Sequence, residues 1–318
     1  MKASPSPASA HWLDLPPVAA VRRLTLRAQR EVQSPFVGAY RSAFRGSGLE
    51  LERVRPYQAG DDPRSIEWSV SARANELHVR EFREERELKL LVLLDISPSM
   101  YFGPPGERYL EAGLYATTLL ASAALVANDA VGFQAFGQGT WPYWPPARSR
   151  SRFRQALLSA LRLPAVQPRE AQLHEAQQLT HLPRALQEAM RRLTTRAVVL
   201  LVTDGISAHE ADVRPALRQL ARRHELLVVQ PVLAPEALQQ LSGGIPYLGW
   251  EGGRGALWQP PAFWPKPKKQ ALAWLKQPVA EHRAWARSGS WDHLALRTDR
   301  SVLRQVQGFL AKREPRRF

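Results

Sequence analysis

The sequence predicts an α/β protein, a mostly parallel sheet covered by helices on both faces, preceded by a small α+β module. Three observations predict it. From Glu87 onward, short apolar runs alternate with longer helical patterns, as strand–helix–strand units do. Two of those runs, Leu88–Leu94 and Ala197–Val202, read as buried strands that each deliver a polar loop. The length, 318 residues, allows a sizeable core in one large domain or two modest ones.

The elements follow in chain order. Residues 1–17 are rich in Ala, Ser and Pro, and are expected to be disordered rather than a secretory signal or membrane anchor. A small module is expected over residues 18–87. It opens with a helix over Val18–Glu31, where Val21, Leu24 and Leu26 are spaced among arginines. From Val37 to Arg86 the pattern predicts short strand-like pieces and turns. Ser47–Val54 alternates as a half-buried strand, Gly60-Asp61-Asp62-Pro63 is a turn, Ile66–Ala72 a short helix and His78–Phe82 a strand.

The main domain is expected over residues 88–318. Strand Leu88–Leu94 leads to a loop, and the turn Gly103-Pro104-Pro105-Gly106 precedes a long helix near Glu107–Asn128. Ala130–Phe136 reads as a buried strand and Thr140–Trp144 as an exposed one that stops at Pro145-Pro146. Helices are expected near Arg150–Leu161 and His181–Leu193, then strand Ala197–Thr203, helix Glu210–Arg222 and strand Leu226–Leu233. Leu294–Thr298 is the last expected strand and Arg300–Lys312 the last helix. Gly243–Trp291, with Gly/Pro turns, several Trp residues and a helix-like piece at Lys268–His282, reads as an insertion.

Composition narrows the function. The chain has no cysteine, which excludes disulfides, thiolate metal sites and cysteine nucleophiles and fits a reducing compartment. No apolar run reaches the length of a spanning helix (about 18 residues), and Leu114–Val131 suits a buried domain helix instead. The expectation is a soluble, cytoplasmic protein. A net charge of +15 invites a nucleic-acid reading. The basic residues, mostly Arg as in Arg191-Arg192 and Arg222-Arg223, are scattered and not interleaved with aromatics. They read as a solvated surface, with an acidic protein partner as the middle reading.

The most specific chemistry lies in three segments. Asp95-Ile96-Ser97-Pro98-Ser99 puts a carboxylate and two hydroxyls on the loop leaving the first buried strand. Thr180 opens a helix start, and Thr203-Asp204-Gly205 follows the strand at Ala197–Val202. Hard cations prefer such oxygen donors. Each segment has a plain reading as well: turn formation for Ser97 and Ser99, N-capping for Thr180, a turn for Asp204. Together they resemble the metal-ion-dependent adhesion site of von Willebrand factor A domains. That resemblance implies a von Willebrand A-like (Rossmann-like) sheet, and Asp95, Ser97, Ser99, Thr180 and Asp204 as ligands of Mg²⁺, or of Mn²⁺ or Ca²⁺. Two carboxylates would leave the ion an open position for a partner's acidic residue.

A second block, Arg55, Tyr57, Gly60, Asp61, Asp62, Arg64, Trp68 and Arg73 in the pattern R-x-Y-x-x-G-D-D-x-R-x-I-x-W, resembles the signature of the domain-of-unknown-function 58 family. Those are bacterial proteins with a von Willebrand A-like domain, often found with MoxR-type AAA+ ATPases. Glu67 stands where the family more often has Asp, and Trp250-Glu251-Gly252-Gly253 follows the family's later turn only loosely. The block reads as an ion-pair network tying the module to the sheet, or as a partner surface. The resemblance implies a non-enzymatic protein-binding module acting with such an ATPase in the assembly or maturation of other proteins.

A metal-dependent hydrolase on the same residues is the rival from another class. A phosphoaspartate mechanism would need a second acid two positions after Asp95, where Ser97 stands. No Walker loop, H-E-x-x-H or G-x-S-x-G is present, and His181 and His209 are the nearby candidate bases.

Overall fold

In a computed structural model the described residues are 13, 15–45, 51–82, 88–101, 103–104, 106–137, 142–162, 182–205, 210–234, 279–289 and 291–313. Six strands form the main sheet: β3 (Lys89–Asp95), β4 (Ala130–Phe136), β5 (Tyr143–Ala147), β6 (Val198–Val202), β7 (Glu225–Val232) and β8 (Asp292–Arg297). Their spatial order is β5-β4-β3-β6-β7-β8, parallel throughout except for the antiparallel β4–β5 pair. Two further strands, β1 (Leu51–Pro56) and β2 (His78–Phe82), pair antiparallel in a sheet of their own.

Alternation along the central strands sends side chains to two separate cores. Leu90, Val92 and Leu94 of β3, with Val198, Leu200 and Val202 of β6, face one layer. Leu91 and Leu93, with Val199 and Leu201, face the other. The first layer is built on α4 (Tyr109–Val126), covered in turn by α1 (Pro17–Glu31), α2 (Ser34–Arg45) and the last helix, α9 (Val302–Lys312), with α5 (Arg150–Arg162) beside β4. The second layer holds α6 (Leu182–Arg192), α7 (Glu210–Arg223) and a helix over 279–289, here α8. At roughly 1.5–3 kcal/mol for each fully buried Leu or Val side chain, these two layers dominate the favourable side of folding.

The long apolar helix is a core element, as its composition implied. By length and hydropathy α4 could cross a membrane, yet 83% of it is buried within the protein. It packs so near the end of β6 that a Cβ on Gly113 would stand 2.8 Å from Val202 Cγ1. Its first turn is closed by Glu111, whose Oε2 accepts from the backbone N–H groups of Gly106 (2.7 Å) and Arg108 (3.2 Å).

The structure departs from the sequence reading in three places. Ser34–Arg45 is helical where strand-like pieces and turns were expected, and Phe36, Tyr40 and Phe44 form its buried stripe. Residues 18–87 were expected to form one module, but α1 and α2 share the core of α4 and β3, which leaves β1, β2 and α3 (Trp68–Ala74) as the small α+β unit. Pro145 and Pro146 do not end β5 but lie inside it, a position open to proline because β5 is an edge strand. The insertion expected at 243–291 falls mostly outside the described residues; its described part is α8 and Trp291, so the helix-like piece at 268–282 is described only from 279.

Candidate functional site

From β3 the chain runs to β4 and β5 on one side, then returns to β6, β7 and β8 on the other. The strand order therefore reverses between β3 and β6. Open α/β sheets form their ligand crevice at such a point, outside the carboxyl ends of the strands. Asp95 is the last residue of β3, and Thr203-Asp204-Gly205 directly follows β6.

Asp95 is fully buried. Its Oδ1 accepts from the Ser97 backbone N–H at 2.9 Å, and its Oδ2 accepts from the Thr203 hydroxyl at 2.7 Å. A carboxylate withdrawn from water needs such charge-assisted bonds. The second one crosses from the first loop to the third and joins residues 108 positions apart. Thr203 Oγ1 also accepts from the Gly205 N–H at 3.2 Å, so one hydroxyl shapes its own loop and holds the neighbouring one. Ser97 is buried, and its Oγ lies 3.0 Å from Ser99 Oγ at the start of a 3₁₀ turn over Pro98–Tyr101. Asp204 is buried on the adjoining loop.

The structure thus places Asp95, Ser97, Ser99 and Asp204 on two adjoining loops at the carboxyl end of the sheet, joined by the Thr203–Asp95 bond. Thr180 lies outside the described residues, as do His181 and His209. The donor chemistry fits a hard divalent cation, since two carboxylates and two hydroxyls offer only oxygen. Among the described residues no three His, Cys, Asp or Glu side chains cluster as metal ligands. A cation here would rely on the hydroxyls, water and a partner to complete its shell.

Sequence reasoning passed over what stands behind the third loop. Gln230 on β7 donates from Nε2 to the Asp204 carbonyl at 2.6 Å, and its Oε1 lies 2.8 Å from His293 Nε2 on β8. His282 on α8 hydrogen-bonds the Gly205 backbone. Gly205 itself has φ +78°, a left-handed conformation suited to glycine. Burial pushes His282 down to about 4 against the pull of the Gly205 bond. Burial also takes His293 to about 4, helped by His282 and Arg283. Both imidazoles are neutral at pH 7 and put no positive charge beside the crevice. A glutamine inside the apolar run of β7 was the one available signal. The histidines gave none.

The arginine-rich block is a set of turn and cap contacts within the small unit. Arg55 Nη1 and Nη2 meet Asp61 Oδ2 and Oδ1, each at 2.7 Å, a bidentate pair. Asp61 also accepts from the Gln58 N–H at 2.8 Å; the Arg55 bonds, with this one second, hold its carboxyl below the usual range. Asp62 caps the 3₁₀ turn at Pro63–Ser65 through the Arg64 N–H, and Glu67 caps α3. Gly60 supplies φ +109° within the turn, and Tyr57 donates its backbone N–H to the Leu77 carbonyl at 2.7 Å. Arg64, Trp68 and Arg73 point outward, with Trp68 67% exposed. The Arg55–Asp61 pair and the Asp62 and Glu67 caps lie within this unit, and Trp68 stands exposed at its surface.

Comparison with known proteins bears on this architecture. A family model described as "Protein of unknown function DUF58" matches residues 53–240. Uncharacterized protein Rv1480 of Mycobacterium tuberculosis H37Rv is 30% identical over 230 residues, 70% of this chain and 66% of that protein, so the chain spans just under two thirds of its relative. Among solved structures, BatB from Bacteroides thetaiotaomicron is similar over 71% of this chain and 99% of its own, with 18% identity and a TM-score of 0.38. The SpRpn10 VWA domain is similar over 48% and 79%, with 15% identity and a TM-score of 0.34. Scores this low carry no inference about the crevice. The match over more than half the length is what counts, and by it the chain belongs to the DUF58 family.

Proposed function

We propose that this chain is a non-enzymatic protein-binding module whose crevice between β3 and β6 takes a divalent cation, Mg²⁺ or its close analogues Mn²⁺ and Ca²⁺. Asp95, Ser97, Ser99 and Asp204 would hold it, with Thr180 from the second loop. The observation that carries this reading is the 2.7 Å bond from Thr203 to Asp95, which locks the two acidic loops side by side where an open sheet binds ligands. A cation bound there supplies an electrophilic centre for a carboxylate of the partner. The protein's own residues fix the acidic loops and offer oxygen donors. By family resemblance, the partner is a MoxR-type AAA+ ATPase or a client protein that it helps to assemble or mature.

The test is calorimetric titration of Mg²⁺ and Mn²⁺ into the wild-type chain and Asp95→Ala, followed by capture of the ATPase with and without chelator. Binding to wild type alone, with chelator-sensitive capture, supports the reading. Equal binding to both proteins, or capture indifferent to chelator, overturns it. The hydrolase reading makes a different forecast, Mn²⁺-dependent turnover of a phosphate or peptide ester that is lost in Asp95→Ala. The only imidazoles described near the crevice, His282 and His293, are engaged behind the Asp204 loop.

A further inference from the structure

Three parts of the fold converge behind the Thr203–Gly205 loop: β7 through Gln230, α8 through His282 and β8 through His293. We propose that these three are positioning residues for the crevice, an imidazole–amide–imidazole buttress that sets the Asp204 loop in the form able to hold a cation. This rests on the cation-binding reading above.

The hydrogen bonds have one consistent direction. Gln230 Nε2 donates to the Asp204 carbonyl at 2.6 Å, so its Oε1 is the acceptor and His293 Nε2 carries the proton across 2.8 Å. Gln230 is fully buried, and a buried amide is costly unless both ends are bonded. Its two bonds run to the third loop and to the next strand. His282, 1% exposed, closes the other side against Gly205, and its Nδ1 has no partner among the described residues. The clamp is tight: a Cβ at Gly205 would stand 2.7 Å from Gln230 Nε2 and 2.9 Å from His282 Nε2. Neither the loop carbonyl nor the left-handed glycine can shift without breaking a buried bond. The positions of Asp204 and of Thr203, which grips Asp95, are therefore set from behind.

Outer residues that orient a metal loop change affinity by about 10–100-fold when removed. The experiment uses the full chain in four variants: Gln230→Leu, His282→Leu, His282→Gln and His293→Ala. The last removes only the partner of Gln230 Oε1 at the half-buried end, so it serves if a Leu variant does not fold. Three quantities are read: Mg²⁺ affinity by calorimetry, hydrogen exchange at the Thr203 and Gly205 amides without metal, and the global melting temperature. Those amides are bonded to the Val229 carbonyl and to Thr203 Oγ1.

The expected result is a tenfold or greater loss of Mg²⁺ affinity in the Leu variants and in His293→Ala. Loop amides should exchange faster than the change in global melting accounts for, and His282→Gln, which keeps an N–H donor, should recover most of both. Wild-type affinity together with wild-type loop protection in the folded variants overturns the proposal. If the wild type binds no cation, the cation reading fails by itself. Loop protection then decides the buttress, which falls if the variants exchange at the wild-type rate.

Discussion

Thr203→Val removes one hydroxyl at nearly constant volume, and with it the bond that joins the two acidic loops. Two contacts disappear: the 2.7 Å donation to Asp95 Oδ2 and the 3.2 Å acceptance from the Gly205 N–H. The first is a bond to a buried carboxylate, worth about 1.5–3 kcal/mol; the longer one adds about 0.5–1 kcal/mol. The expected destabilisation is therefore about 2–4 kcal/mol. At about 2–4 °C per kcal/mol for a domain of this size, the melting temperature should fall by about 4–16 °C at pH 7. Differential scanning calorimetry measures that fall, and a double-mutant cycle with Asp95→Asn isolates the pair. A coupling of at least about 1 kcal/mol is expected, because the residues touch directly. If Thr203→Val melts within 1 °C of wild type, or the cycle closes to zero, the loops are not held by this bond and the account of the crevice is wrong.

Other outcomes follow from named contacts. His282 and His293 both keep folded values near 4 against 6.5 when unfolded, so the folded state binds fewer protons between those limits. Their contribution is complete above pH 6.5 and fades as pH falls towards 4, by about 3 kcal/mol for His282. Chemical denaturation across that range should show a shallower pH slope in His282→Gln than in wild type. Gly205→Ala must adopt φ +78° and meet Gln230 and His282 at once, and should lose about 2–4 kcal/mol in urea unfolding. Arg313→Met removes the guanidinium that Glu225 and Asp292 share and that also bonds the Ala43 carbonyl, and should lose about 3–5 kcal/mol. Adding Glu225→Gln and Asp292→Asn should restore much of that stability in the same assay.

Much of the fold was legible because local periodicity and tertiary burial agree in it. β4 and β2 were expected at their observed limits, and the runs that became β3 and β6 are apolar because both faces of the sheet are covered. Where reading failed, a residue usually taken as a breaker stood in a tolerated place. Pro145 and Pro146, expected to stop the strand at Trp144, lie within β5, an edge strand that tolerates them. The loop residues of the crevice were legible as a pattern of oxygen donors. Their linkage was not, because no local signal says that the Thr203 hydroxyl turns towards Asp95. The buttress was hidden for the same reason: its three members come from elements that meet only in the finished sheet.

The position of β3 has a consequence for how the chain reaches its folded state. β3 is flanked by β4 on one side and by β6 on the other, and β6 emerges about a hundred residues later. Until β6 docks, β3 is an open edge, apolar on both faces, and such edges recruit other chains. A nascent or truncated chain ending before residue 197 would thus present a sticky seam and half a crevice. Closing that seam brings the two acidic loops together in the same event. A cation that binds only the closed form would favour the step that removes the aggregation hazard.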